Sequence, residues 1–199
     1  MTQIMNEAKT QNENNQLSDW SCDPSHGKLP QQFLDIQNEI IAFSGVQISD
    51  VPVRESESEE YGAVQFNLDG KRVAFRVAKT TPTKVGQFVT MWKRENPSDE
   101  IAPYDIEDTV DYIFVFVFDQ SHQGFFVFEK ILLGKKGIMS VKGKGGKRAI
   151  RVYAPWVKTV STQAKATQSW QIQNFVSLDN NEKAIAKFKR LFNNGQIQS

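Results

Sequence analysis

From Gly62 the chain alternates apolar and polar positions, with Val64, Phe66 and Leu68 set against Ala63, Gln65 and Asn67. After Asp69-Gly70 the same period resumes, with Val73, Phe75 and Val77 against Arg72, Ala74 and Arg76. A period of two marks strands half buried in a sheet, and Asp-Gly marks a two-residue hairpin turn. The turn also sets the register: Leu68 faces Lys71, Phe66 faces Val73, Val64 faces Phe75, Gly62 faces Val77 and Glu60 faces Lys79. Opposed residues point to one face, so Lys79 emerges beside Glu60 at the end of the apolar face. Before the hairpin, Phe33, Leu34, Ile36, Ile40, Ile41 and Phe43 predict a helix that starts after Pro30 and stops at Gly45. After it, "TTPTKVGQFVTMWKR" predicts a second helix, beginning at Thr81-Pro82 with Val85, Phe88, Val89 and Trp92 at helical spacing.

An acidic loop follows, with Asp99, Glu100, Asp105, Glu107, Asp108 and Asp111, and then "DYIFVFVFDQSHQGFFVFEK" reads as two strands around a polar turn. The first of these is apolar on both faces, as in a strand at the middle of a covered sheet. A short strand over 149 to 153 and two closing helices complete the pattern, the last helix placing Ile185, Phe188 and Phe192 inward and Lys183, Lys187 and Arg190 outward. The order predicts one α/β (α+β) domain over residues 29 to 199, a mixed β-sheet with an N-terminal β-hairpin flanked by helices. Residues 1 to 28, rich in Asn, Gln, Ser and Thr, read as a mobile polar arm outside it.

Charge changes this picture. The net charge is only +1, yet residues 1 to 60 carry eleven Asp or Glu against three Lys or Arg, while residues 130 to 178 carry ten Lys or Arg and no acid. That asymmetry suggests a basic face for a polyanion, with an acidic arm that could meet a protein partner. The bland alternative is mutual neutralisation across the fold. With one cysteine and two histidines, neither a disulfide framework nor a histidine-based metal site is expected. The longest apolar run is far below the ~20 residues of a membrane-spanning helix, and no signal pattern opens the chain, so the expectation is a cytoplasmic protein without a membrane partner.

Helix, hairpin, lysine and helix in this order resemble the PD-(D/E)XK, or restriction-endonuclease-like, core. That resemblance implies an Asp on one strand, a Glu or Gln two residues before a Lys on the next, and Mg or Mn held by the carboxylates against a phosphate. Lys79 takes the lysine position. The register puts Gly62 and Val77 where the carboxylates should stand, leaving Glu60, or an acid of the 99 to 111 loop, as the only rescue. Glu60 and Lys79 are therefore the catalytic candidates, set against the reading of a structural ion pair between them; no metal ligands are assigned.

"VKGKGGKRAIRVYAPW" sets Lys142, Lys144, Lys147, Arg148 and Arg151 among three glycines, a pattern suited to phosphates but matching neither a Walker loop nor a dinucleotide fingerprint. A solvated loop is an equally weighted reading. Trp156 and Trp170 flank a basic, glutamine-bearing stretch that could stack on unpaired bases, although tryptophans so placed are more often core anchors.

"FRVAKTTPTKVGQFVTMWKR", "GKGGKRAIRVYAPWVKT" and "QAKATQSWQ" resemble the bacterial MepB family from about Tyr61 to Phe175. One departure is Ala154-Pro155-Trp156 in place of a Pro-Pro-Trp. The resemblance implies nucleic-acid binding without supplying a reaction. Shared positions able to do chemistry are Arg76, Lys79, Lys84, Gln87, Lys93, Arg94, Lys144, Lys147, Arg148, Arg151, Gln163 and Gln168; these without Gln87, and with Lys142 of the basic run, are the expected phosphate- or base-binding set. The leading expectation is a DNA- or RNA-binding module with an inactive nuclease-like core; an active metal-dependent nuclease and a regulatory protein-interaction domain are the alternatives.

Overall fold

The chain folds around one six-stranded mixed sheet. The computed structural model describes residues 27–55, 59–94 and 98–193, so the readings placed on residues 1 to 26 lie outside the described residues. Helix α1 starts directly after Pro30, runs through Gln31–Ile36, a π-wound stretch Gln37–Ile41 and Ala42–Ser44, and stops at Gly45 in the left-handed region. Phe33, Ile36, Ile40 and Ile41 are buried as expected, but Phe43 is 66% exposed. The π turn shifts the phase of the residues that follow it, so Phe43 misses the face its α-helical spacing assigned.

The strands are β1 Val53–Arg54, β2 Val64–Leu68, β3 Lys71–Val77, β4 Lys79–Thr81, β5 Lys84–Thr90, β6 Trp92–Lys93, β7 Ala102–Pro103, β8 Tyr112–Phe118, β9 Gln123–Glu129, β10 Ala149–Val152 and β11 Phe175–Ser177. The main sheet has the order β1-β2-β3-β8-β9-β11, with β3 and β8 parallel and the other neighbours antiparallel. The β2–β3 hairpin has the predicted register, Val64 opposite Phe75, Phe66 opposite Val73 and Leu68 opposite Lys71. Asp69 and Gly70 both take positive φ, 46° and 74°, the primed-turn geometry that matches strand twist.

Three further helices are α2 Lys130–Lys135, α3 Thr162–Gln171 and α4 Asn181–Asn193. One face of the main sheet packs Val64, Phe66, Val73, Phe75, Phe114, Phe116 and Phe125 against α1 and α4, through Phe33, Ile36, Ile40, Phe188 and Phe192. The other face packs Ala74, Ile113, Val115, Val117, Phe126 and Phe128 against Val89, Met91, Ile150 and Val152. Those four side chains sit in or beside a second sheet of order β10-β5-β4. β8 is consequently buried on both faces from Tyr112 to Val117, as its apolar sequence predicts.

The helix expected from Thr81 does not form. Pro82 and Thr83 turn the chain between β4 and β5, which pair with each other, and β5 pairs with β10. Gln87, Val89 and Met91 are buried, a period-two set facing the main sheet. The β-branched residues Val85, Val89 and Thr90 suit an extended chain, and pairing with β10, about sixty residues away, overrides a spacing that also fits a helix. Strands β1 and β11 and helix α2 are likewise additions to the sequence-based plan.

Candidate nucleic-acid interface

At the nuclease-like corner, Lys79 Nζ lies 2.6 Å from Glu60 Oε2 and 4.5 Å from the centre of the Tyr61 ring. Both charged side chains are well exposed, and the expected ion pair is present. The neighbouring positions do not fit a two-carboxylate metal site. Gly62 has a φ of +56°, and a Cβ there would stand 2.8 Å from Cγ2 of Val77. The two positions that would carry carboxylates thus pack on each other, and no group of three or more His, Cys, Asp or Glu among the described residues could hold a metal ion.

Arg76 is a correction to the phosphate-binding set. Strand alternation turns it away from the hairpin's α1 face, and it is only 1% exposed. Its guanidinium makes a bidentate pair with Glu55, 2.9 Å to Oε1 and 2.8 Å to Oε2, and donates to the Tyr104 hydroxyl and the Phe75 carbonyl. Burial alone would lower the Arg76 pKa, but Tyr104 and Glu55 more than offset it and the pKa is raised. Burial raises that of Tyr104. A guanidinium so enclosed belongs to the core.

Two amides are also structural. Gln87 is buried and its Nε2 donates to Thr80 Oγ1 and the Phe118 carbonyl. Gln168 Nε2 donates to the carbonyls of Ala154 and Val157 while its Oε1 accepts from Thr159, so it fastens the segment after β10. Lys93 pairs with Asp108 beside a cavity of about 380 Å³ that also meets Asp105 and Glu107. Arg94 lies over the Trp92 ring. Gly143 and Gly145 of the basic loop line the same cavity, so Lys93 approaches that loop while held by an acid. Lys84 is exposed on the β4–β5 hairpin.

The glycine run after residue 140 is ordered by a carboxylate of the chain itself. Asp105 accepts from Ser140 Oγ at 2.6 Å, from Gly143 N–H at 2.8 Å and from Glu107 N–H at 3.0 Å. These bonds, that of Ser140 foremost, lower the Asp105 pKa to about 2. The Gly143 N–H that could have met a phosphate is already engaged. What the loop offers is its side chains: Lys142, Lys144, Lys147 and Arg148 are exposed and have no acidic partner among the described residues.

Beside this loop a groove of about 330 Å³ opens between β10 and α3. Lys136, Lys147, Arg151, Tyr153, Gln163 and Trp170 are among the residues that line it, and no acid does. Ser161 caps α3 by accepting from the Ala164 N–H, which brings the positive end of the helix dipole to one rim. Gln171, fully buried on α3, completes the edge of β10: its Oε1 accepts from Tyr153 N–H and its Nε2 donates to the Arg151 carbonyl. Arg151 donates to Thr81 Oγ1 and to the carbonyls of Lys84, Val85 and Gly86, so it adds charge while bracing the β4–β5 turn. Gln163 is exposed. Lys136, absent from the sequence-based set, lies with Nζ 5.5 Å from the Trp170 ring centre. Its signal was its place in the acid-free stretch.

Of the predicted residues, then, the fold gathers Lys147, Arg151 and Gln163 at one groove, with Arg148 next to Lys147 in the chain, while Lys142 and Lys144 adjoin glycines that line the acid-bearing cavity. It leaves Lys79 with Glu60, Arg76 and Gln87 in the interior, and Lys93 among acids. Trp156 stacks on His122 and packs edge-on to Phe175, the anchor reading of that residue.

Comparison with known proteins agrees with the motifs. The curated proteins give no match. A crystal structure of MepB superposes with a TM-score of 0.63 at 32% identity, covering 75% of this chain and 97% of that one. The MepB-like family model matches residues 55–177, the span that holds the β2–β3 hairpin, the main sheet apart from β1, the second sheet and the groove, and the chain belongs to the MepB-like family.

Proposed function

We propose that this protein is a nucleic-acid-binding module without turnover, which holds DNA or RNA at the groove between β10 and α3 and the basic loop beside it. The observation that carries the reading is the acid-free groove itself, where Lys136 and Lys147 meet Gln163 and Trp170, and the loop that supplies Lys147 also exposes Lys142, Lys144 and Arg148. Clustered exposed cations on one face supply the phosphate attraction that dominates nucleic-acid affinity. The nuclease-like corner supports no metal-bound step, because Gly62 and Val77 close on each other where two carboxylates would be needed.

The test is fluorescence anisotropy with labelled DNA and RNA over a salt series, with magnesium or manganese in parallel lanes and the products run on a denaturing gel. Binding should weaken with salt by roughly 0.7 to 0.9 log units per log unit of salt for each phosphate neutralised. The Lys144→Ala, Lys147→Ala, Arg148→Ala triple variant should bind at least about tenfold more weakly, with a flatter salt slope. Unchanged affinity in that variant would remove the loop from the interface. Cleaved product would overturn the absence of turnover and return attention to Glu60 and Lys79, whose 2.6 Å contact is what the nuclease alternative rests on.

A further inference from the structure

Resting on the nucleic-acid reading above, we infer that the groove between β10 and α3 accepts an unpaired nucleotide and gives the protein a preference for single-stranded nucleic acid over duplex. The floor of the groove carries the argument. Trp170 is half-buried, its ring centre 5.4 Å from that of Phe128, so the core fixes its plane. On the groove side it is met by a lysine, with Lys136 Nζ 5.5 Å from the ring centre. Lys136 itself is exposed. A cation–π contact at an exposed site is weaker than base-on-aromatic stacking. An incoming base therefore displaces the ammonium from the indole, and the ammonium turns to the phosphate.

The surrounding groups suit the same occupant. Gln163 and Thr167, one helical turn apart on α3, line the same wall and offer an amide and a hydroxyl to a base edge or sugar. Lys147 stands on the basic-loop side with no acid in the lining. At about 330 Å³ the groove has the scale of a small-ligand pocket and not of a duplex face. In a duplex the base faces are stacked away, so it would meet only the exposed cations of the 142 to 148 loop, and an aromatic floor would add nothing.

The experiment compares the full chain with a labelled single-stranded DNA, the RNA of the same sequence, and the DNA duplex, all at one salt concentration. Single strands should bind about tenfold more tightly than duplex. Gln163→Ala and Lys136→Ala, both surface changes that leave the core intact, should each weaken single-strand binding several-fold and by a clearly larger factor than they weaken duplex binding. Quenching of tryptophan emission by single strands should be lost in Trp170→Phe, with its thermal melt checked for folding. Equal binding of single strand and duplex, or variants that change both alike, overturns the inference and leaves the nucleic-acid reading standing. No binding of any of the three overturns both.

Discussion

Gly62 shows how one residue decides what a corner of the fold can do. Its φ of +56° and the 2.8 Å approach of Val77 to its missing Cβ leave no room for a side chain. Gly62→Ala should cost about 1–3 kcal/mol in urea unfolding, through left-handed strain and contact with Val77. An unchanged midpoint would show that the backbone relaxes there. Arg76 is decided in a similar way. Its Nε is buried without a hydrogen-bond partner among the described residues, and the other guanidinium nitrogens rely on Glu55, Tyr104 and Phe75. Glu55→Ala leaves a desolvated cation, so it should destabilise by about 3 kcal/mol. Adding Arg76→Met to that variant should restore much of the loss, and equilibrium denaturation of both variants checks it. Alternation places Arg76 on the strand face away from α1; enclosure by Glu55 and Tyr104, 21 and 28 residues away in the chain, makes it a core residue.

At the scale of elements, α3 is held to the second sheet by Gln171, whose amide stands in for a neighbouring strand along β10. Gln171→Ala would strand the Tyr153 N–H and the Arg151 carbonyl, each buried polar group costing about 1–3 kcal/mol when unmade. The expected result is a lower melting temperature together with faster amide exchange at Tyr153. Normal exchange there would mean that water replaces the amide without loss. The β4–β5 hairpin teaches the complementary lesson. Val85, Phe88 and Val89 of this hairpin, with Trp92 of β6, satisfy helical spacing, and the local preference of its β-branched residues for extended chain is weak by itself. The choice is made by β10, which lies after the acidic loop, the β8–β9 pair and α2.

Across the whole molecule, Tyr112 ties the sheet to the last helix by donating its hydroxyl to the Phe192 carbonyl at 2.9 Å. Burial, with Glu129 and Asp111 nearby, pushes its pKa up to about 12 from the ordinary 10. A raised phenol stabilises the fold fully below its unfolded pKa, and that contribution is lost as pH rises from about 10 through about 12. Urea unfolding over that interval should show stability falling with pH. Tyr112→Phe should lose about 1 kcal/mol at neutral pH and show a shallower alkaline decline. Tyr104, also raised by burial, retains its own share of that decline. An equal decline in the variant would assign the whole effect to Tyr104 and other groups.

The sequence by itself determined the features whose physics is local. Period-two alternation and Asp69-Gly70 specified the β2–β3 register from Val64 to Lys71; the contact of Lys79 with Glu60 forms outside that ladder, between β4 of the second sheet and a 3-10 turn at Glu59–Tyr61. Pro30 and Gly45 bounded α1, the spacing of Phe188 and Phe192 oriented α4, and long shared phrases marked the family. Only the tertiary structure decided that residues 79 to 93 are strands, that Arg76 and Gln87 are interior, and that Asp105 occupies the glycine loop from 35 residues or more upstream. It also decided that Lys136, Lys147, Gln163 and Trp170 share one groove. Each of these depends on which distant segment covers a face or completes an edge, and pairing between segments far apart in the chain leaves no mark on the spacing within either one.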